Sequence, residues 1–174
     1  MKRARFLETG IGGLALLALG GCAASGTAHG PFQDPEYNYQ VLSGGDRTLI
    51  AAIGGVMLAG ALPSDSAARD TALVAVVRGV DIAVSGLPPS VQGEIGQLFG
   101  MLRFPPTRAL AAGIWSSWEG ASDASISSFL TGWRFSGIAL FRTGYQALHQ
   151  LVMASWYGNN ASWGRIGYPG PPHV

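Results

Sequence analysis

Apolar residues along this chain recur mostly at three and four positions, with Gly and Pro as punctuation, and the elements they predict are helices. Leu42-Ser43 precede Gly44-Gly45-Asp46-Arg47, and an apolar stretch from Leu49 to Leu62 ends before Pro63. Ser43 or Asp46 can cap the first turn of a helix there, and Pro63 can stop it. Counted from Thr48 the stretch is 15 residues long, short of the ~20 that a membrane span needs, so a buried core helix is expected. Ala51, Gly55 and Ala59 form a small-residue stripe on it that would admit a close neighbour.

Ser64-Asp65-Ser66 open a second helix, in which Leu73, Val74, Val77, Val80, Asp81 and Val84 keep helical spacing until Gly86-Leu87-Pro88-Pro89. A third is expected from Val91 to Leu102, closed by Phe104-Pro105-Pro106, and a fourth from Thr107 to Trp118. Between Ser122 and Trp156, Trp133, Gly137, Phe141, Tyr145, Leu148, Val152 and Trp156 define one apolar face, with Ser136, Thr143, Gln146 and Gln150 on the other. One straight helix here would be ~52 Å long at 1.5 Å per residue, against a radius of gyration near ~15 Å for a body of this size. A break near Gly132 or Gly137 is therefore expected. No run alternates with a period of two, so strands are not expected. The fold class is all-α, a compact bundle of about five to six helices. After Trp156 the period is lost in a Gly- and Pro-rich tail that still carries Trp163, Ile166 and Tyr168, side chains costly to leave in water.

Composition sharpens this picture. The 174 residues are 48% hydrophobic and only 12% charged, about half the usual ~25% charged share, which argues against disorder and for a surface that a partner covers. The net charge is +1, and ten of the eleven basic residues are scattered arginines, so no basic stripe exists for nucleic acid. The single cysteine excludes a disulfide framework and an iron–sulfur cluster held by this chain alone.

Residues 1–21 read as an export signal, with Lys2, Arg3 and Arg5 before a short apolar run from Ile11 to Gly21. Leu19-Gly20-Gly21-Cys22 has the shape of a lipobox, which would place a lipid on Cys22 and the mature chain in the periplasm, anchored to the membrane. The alternative is an ordinary signal cut near Ala23-Ala24-Ser25. Arg3-Ala4-Arg5-Phe6-Leu7 has partial twin-arginine form, with Ala4 where the second arginine belongs. Residues 22–42 then read as a tether, 43–156 as the helical domain and 157–174 as a docking tail.

The tail carries a resemblance. Trp156-Tyr157-Gly158-Asn159, followed by Trp163-Gly164-Arg165-Ile166-Gly167-Tyr168-Pro169-Gly170, resembles the C-terminal signature of the gluconate 2-dehydrogenase subunit 3 family. These are small subunits of membrane-associated FAD-dependent alcohol and sugar dehydrogenases. The family's second glycine in Tyr-Gly-Gly-Asn is missing here and the spacer is short. Leu42-Ser43, Asp46-Arg47, Leu49 and Leu62-Pro63 resemble the family's opening helix. The resemblance implies an accessory subunit with no cofactor of its own, whose FAD-dependent large subunit belongs to the glucose–methanol–choline class and passes electrons to a cytochrome c subunit. It also implies that Trp156, Tyr157, Gly158, Asn159, Trp163, Arg165, Ile166, Gly167, Tyr168, Pro169 and Gly170 bind that partner.

The chain shows no catalytic constellation of its own. His29, His149 and His173 lie far apart without metal-ligand spacing, and neither a Gly-x-Ser-x-Gly elbow nor a Gly-x-Gly-x-x-Gly turn is present. Asp81 stands three residues from Arg78 within an apolar helix, and a local ion pair is expected. Arg134 and Arg142 flank the Trp133/Phe141 face, the composition of an interface or of cation–π stacking within the chain. A free-standing structural envelope lipoprotein is the alternative to the accessory subunit. A ligand pocket between helices rests on the aromatic stripe alone.

Overall fold

The computed structural model describes residue 32, residues 34–163 and residues 167 and 169. The all-α architecture expected from the sequence is what forms, and no strand occurs among the described residues. The elements are α1 (Gly44–Met57), α2 (Ser66–Ser85), α3 (Pro89–Arg103), a short α4 (Pro105–Thr107), α5 (Asp123–Arg134), α6 (Ala139–Tyr157) and a short α7 (Asn160–Trp163). No helix among the described residues is long and apolar enough to cross a membrane.

Local chemistry sets the boundaries. Ser43 and Asp46 cap α1 together, each side chain serving the other's backbone N–H, so the two candidate caps are one capping box. Asp65 caps α2 through Ala68 N–H at 2.8 Å. α1 stops at Met57, five residues before the expected end at Leu62. The cause is a tight turn through Gly60, whose φ of +84° suits glycine, and it puts Leu58 and Leu62 both in the core. Ala59 therefore lies outside the helix, and the expected small-residue stripe is shortened to Ala51 and Gly55.

The helix expected over Thr107–Trp118 does not form. After α4 the chain makes one wide π-type turn over Arg108–Ala112, and Gly113 ends it at φ +68°. Two buried groups are served by this path. The Arg108 guanidinium reaches the carbonyl of Ile114 at 3.2 Å, and Trp118 Nε1 donates to the Leu102 carbonyl in the last turn of α3 at 2.8 Å.

α2 is the central element, packed most extensively against α6 and also against α1, while α5 bridges α1 and α6. Leu49, Ile50 and Ile53 of α1, Val76, Val77 and Val80 of α2, Ile126 of α5, and Leu148 and Val152 of α6 are sealed from water. Two glycines permit the closest approaches. A Cβ on Gly79 would stand 2.8 Å from Ser155 Cβ, and one on Gly144 would stand 2.5 Å from the Trp133 ring. The break between α5 and α6 falls at Phe135–Ile138, around Gly137 as expected, and lets Phe141 stack on Trp133 with centroids 5.1 Å apart.

Asp81 lies on the inner face of α2 with no exposure. The expected pair with Arg78 is absent, because a buried carboxylate needs several donors at once and the chain before α1 supplies them. The backbone N–H groups of Gln40, Val41 and Leu42 donate to it at 2.9, 3.0 and 2.9 Å, and the Tyr37 hydroxyl approaches at 3.4 Å. Arg78 turns instead to Asp34, donating from Nε and Nη2 at 2.8 and 2.6 Å. Residues 34–42, expected as the end of a tether, are thus a strap held on α2.

Replacing Asp81 by Ala leaves three N–H groups without an acceptor, at about 1–3 kcal/mol each less what rehydration returns. Urea unfolding of Asp81→Ala is expected to show a loss of about 3–5 kcal/mol. Gly144→Ala forces Trp133 or α6 to shift, and the same measurement is expected to show a loss of about 1–3 kcal/mol.

Candidate functional site

The tail begins as a continuation of α6. Trp156 is buried in the core, so this residue of the expected docking set faces inward and the outward part of the motif starts at Tyr157, which is exposed. Gly158 closes the helix with its N–H on the Ala154 carbonyl at 2.8 Å, and a Cβ at Gly158 would meet that same oxygen. Asn159 turns the chain, and its carbonyl accepts from Ser162 N–H and Oγ at 3.0 and 2.7 Å. Trp163, half-buried, then folds back to donate from Nε1 to the Tyr157 carbonyl at 2.8 Å. The first half of the motif is therefore a compact cap on α6. Gly167, at φ +69°, and Pro169 are exposed beyond it. Arg165, Ile166, Tyr168 and Gly170 lie outside the described residues, as do the export signal and Cys22.

α6 carries a second apolar stripe, beside the expected polar positions Thr143 and Gln150, that the spacing of large residues does not reveal. Leu140, Ala147, Leu151 and Ala154 face α3 across an open groove of about 910 Å³, with Val91, Ile95 and Leu98 opposite and Trp133 and Phe141 at one end. Small side chains hide this stripe in the sequence, since Gly144 and Ala147 read as spacers between the large residues of the buried face.

The α5–α6 end also bears the largest exposed apolar side chains. Phe135 is 74% exposed and Leu140 68%, with Ile138 between them. Leu110 and Trp115, from the turn after α4, are 84% and 82% exposed. Trp133 Nε1 donates to the Ala111 carbonyl at 2.7 Å, and Gly113 and Ser136 line one hollow, which sets the two segments side by side. Arg134 lies over the Phe135 ring at 5.2 Å and Arg142 donates to the Ser136 carbonyl at 2.6 Å. The two arginines thus brace this tip rather than flank the Trp133/Phe141 face. Periodicity missed it because Phe135 and Ile138 fall in the interhelical turn and Leu110 and Trp115 in a segment expected to be helical.

Ionisable groups concentrate at the strap. Hydrogen bonding from Arg78, with further help from Tyr39 at 2.8 Å, holds the Asp34 carboxyl down to about 2 in spite of its burial. The same pair raises Arg78 further. Burial, and then the carboxylate next to each, raises Tyr37 and Tyr39. Each member has a structural partner, and the cluster works as a lock. His149 sits half-buried beside Tyr145, ring centroids 5.7 Å apart. No group of three potential ligands for a metal occurs among the described residues.

Comparison with known proteins gives no matching family model, no matching curated protein and no matching solved structure.

Because the Asp34 carboxyl is lowered by folding from 3.8 to about 2, its contribution is complete above 3.8 and is lost as pH falls through about 2. The near-UV signal of Tyr37 and Tyr39 in the wild type is expected to hold from neutral pH to 3.8 and to fade towards about 2. Asp34→Asn is expected to lack that step and to weaken the strap already at neutral pH.

Proposed function

We propose that this chain is a non-catalytic accessory subunit of a membrane-associated FAD-dependent alcohol or sugar dehydrogenase. In this reading the flavin and the oxidising histidine belong to a large subunit of the glucose–methanol–choline class, and electrons leave through a cytochrome c subunit. The small subunit assists folding, export or membrane tethering of the flavoprotein. The observation that carries the reading is the C-terminal motif, with Trp163 folded onto the Tyr157 carbonyl and the chain leaving this cap through exposed Gly167 and Pro169. A hydrogen-bonded cap at the root of the motif suits docking, because part of the ordering cost of the contact is met before binding. Arg165, Ile166 and Tyr168 are then the residues that meet the partner, with Tyr157 at the root of the contact. The lipid expected on Cys22 holds the complex at the membrane.

The test is affinity purification of the tagged chain from solubilised native membranes, with the co-purifying masses and flavin absorbance recorded. A large yellow partner is expected, and Trp163→Ala and Tyr168→Ala are each expected to lower its recovery about tenfold or more, the scale of an aromatic anchor. Recovery of the chain alone, without flavin, contradicts the reading and favours a free-standing envelope lipoprotein. Flavin bound tightly by the isolated chain contradicts it as well.

A further inference from the structure

The tip formed by the α5–α6 turn and the segment after α4 exposes large apolar side chains that neither the core nor the tail motif uses. A soluble surface rarely gathers several large apolar side chains without something that covers them. Leu110, Trp115, Phe135 and Leu140 are each more than two-thirds exposed, so they stand clear of their neighbours instead of forming a packed face. A fluid lipid interface closes around separate protruding side chains, whereas a protein partner would need a pocket shaped for each.

The charge pattern selects the same partner. From Ala124 to Val174 the sequence holds Arg134, Arg142 and Arg165 and no Asp or Glu, while on the Trp115 side Arg103 and Arg108 precede and Glu119 and Asp123 follow. Arg134 and Arg142 are exposed at the tip itself, against the Phe135 ring and the Ser136 carbonyl, and among the described residues neither is paired with a carboxylate. Tryptophan, large aliphatic residues and unpaired arginine together are the composition of a segment seated at the headgroup level of a bilayer.

We propose that this tip is a membrane-docking site for an anionic lipid surface, with Trp115, Phe135, Ile138 and Leu140 entering the interface and Arg134 and Arg142 on the lipid phosphates. The site uses neither Cys22 nor the tail residues, and it does not depend on the dehydrogenase reading.

The full chain with Cys22→Ser, so that no acyl group contributes, is mixed with vesicles of phosphatidylcholine and phosphatidylglycerol in equal parts. Trp118, Trp133 and Trp156 are buried and Trp163 half-buried, so Trp115 reports on the surface. Its emission is expected to shift to the blue and to be quenched by brominated acyl chains, and Trp115→Phe is expected to remove that change. Arg134→Gln with Arg142→Gln is expected to weaken binding roughly 30-fold and to flatten its salt dependence. Phe135→Ser with Ile138→Ser is expected to lower flotation with the vesicles. All these side chains are exposed, and circular dichroism checks that each variant stays folded. A Trp115 emission unchanged by the vesicles overturns the proposal. So does loss of a protein partner through these substitutions while the vesicle response stays intact.

Discussion

The carboxylate of Asp81 constrains this structure more than any other single group. It sits fully buried near the C-terminal end of α2, the helix that packs against α6, α1 and α3, where a carboxyl without donors would be intolerable. Three consecutive N–H groups of residues 40–42 satisfy it, and those residues lead directly into the capping box of α1. One buried oxygen pair therefore fixes where the strap lies, where α1 starts and how α1 meets α2. Asp34 and Arg78 close the same strap one turn away, so the lock has a buried part and a partly exposed part. Asp46 ties α3 to this region through Arg103, whose Nε stands 2.8 Å from Oδ1 off the N–H axis, as an ion pair rather than a hydrogen bond.

Much of the architecture was legible in the sequence because helix ends carry their own chemistry. Ser43, Asp65 and Ser122 start helices where such residues belong, and Gly137 lies in the turn that divides the aromatic stripe. What was not legible depended on partners distant along the chain. Asp81 pairs with residues about forty positions earlier, so the nearby Arg78 was the wrong guess. Thr107–Trp118 has the composition of a helix, but Trp118 is drawn to the Leu102 carbonyl at the end of α3 while Arg108 folds the chain locally onto the Ile114 carbonyl. The second stripe of α6 is made of small residues and opens on a groove instead of a core, so no periodicity of large side chains announces it.

The candidate site divides in the same way. The tail was found by its residue pattern, and its first half proves to be a cap stitched to α6 by Gly158, Asn159 and Trp163. The apolar tip carries no pattern, because its residues come from the π-type turn and the chain after it and from the α5–α6 turn and the start of α6, segments joined by the hydrogen bond from Trp133 to the Ala111 carbonyl. In the proposed reading, the eleven residues between a lipidated Cys22 and Asp34 would span at most about 40 Å when extended.

Asp81 makes the strap part of the core. Amide hydrogen exchange of Gln40, Val41 and Leu42 in the full chain tests it most directly. These three amides are expected to exchange as slowly as those in the middle of α2 and to open only when the bundle unfolds. Exchange at the rate of an open loop, with α2 still protected, would contradict it.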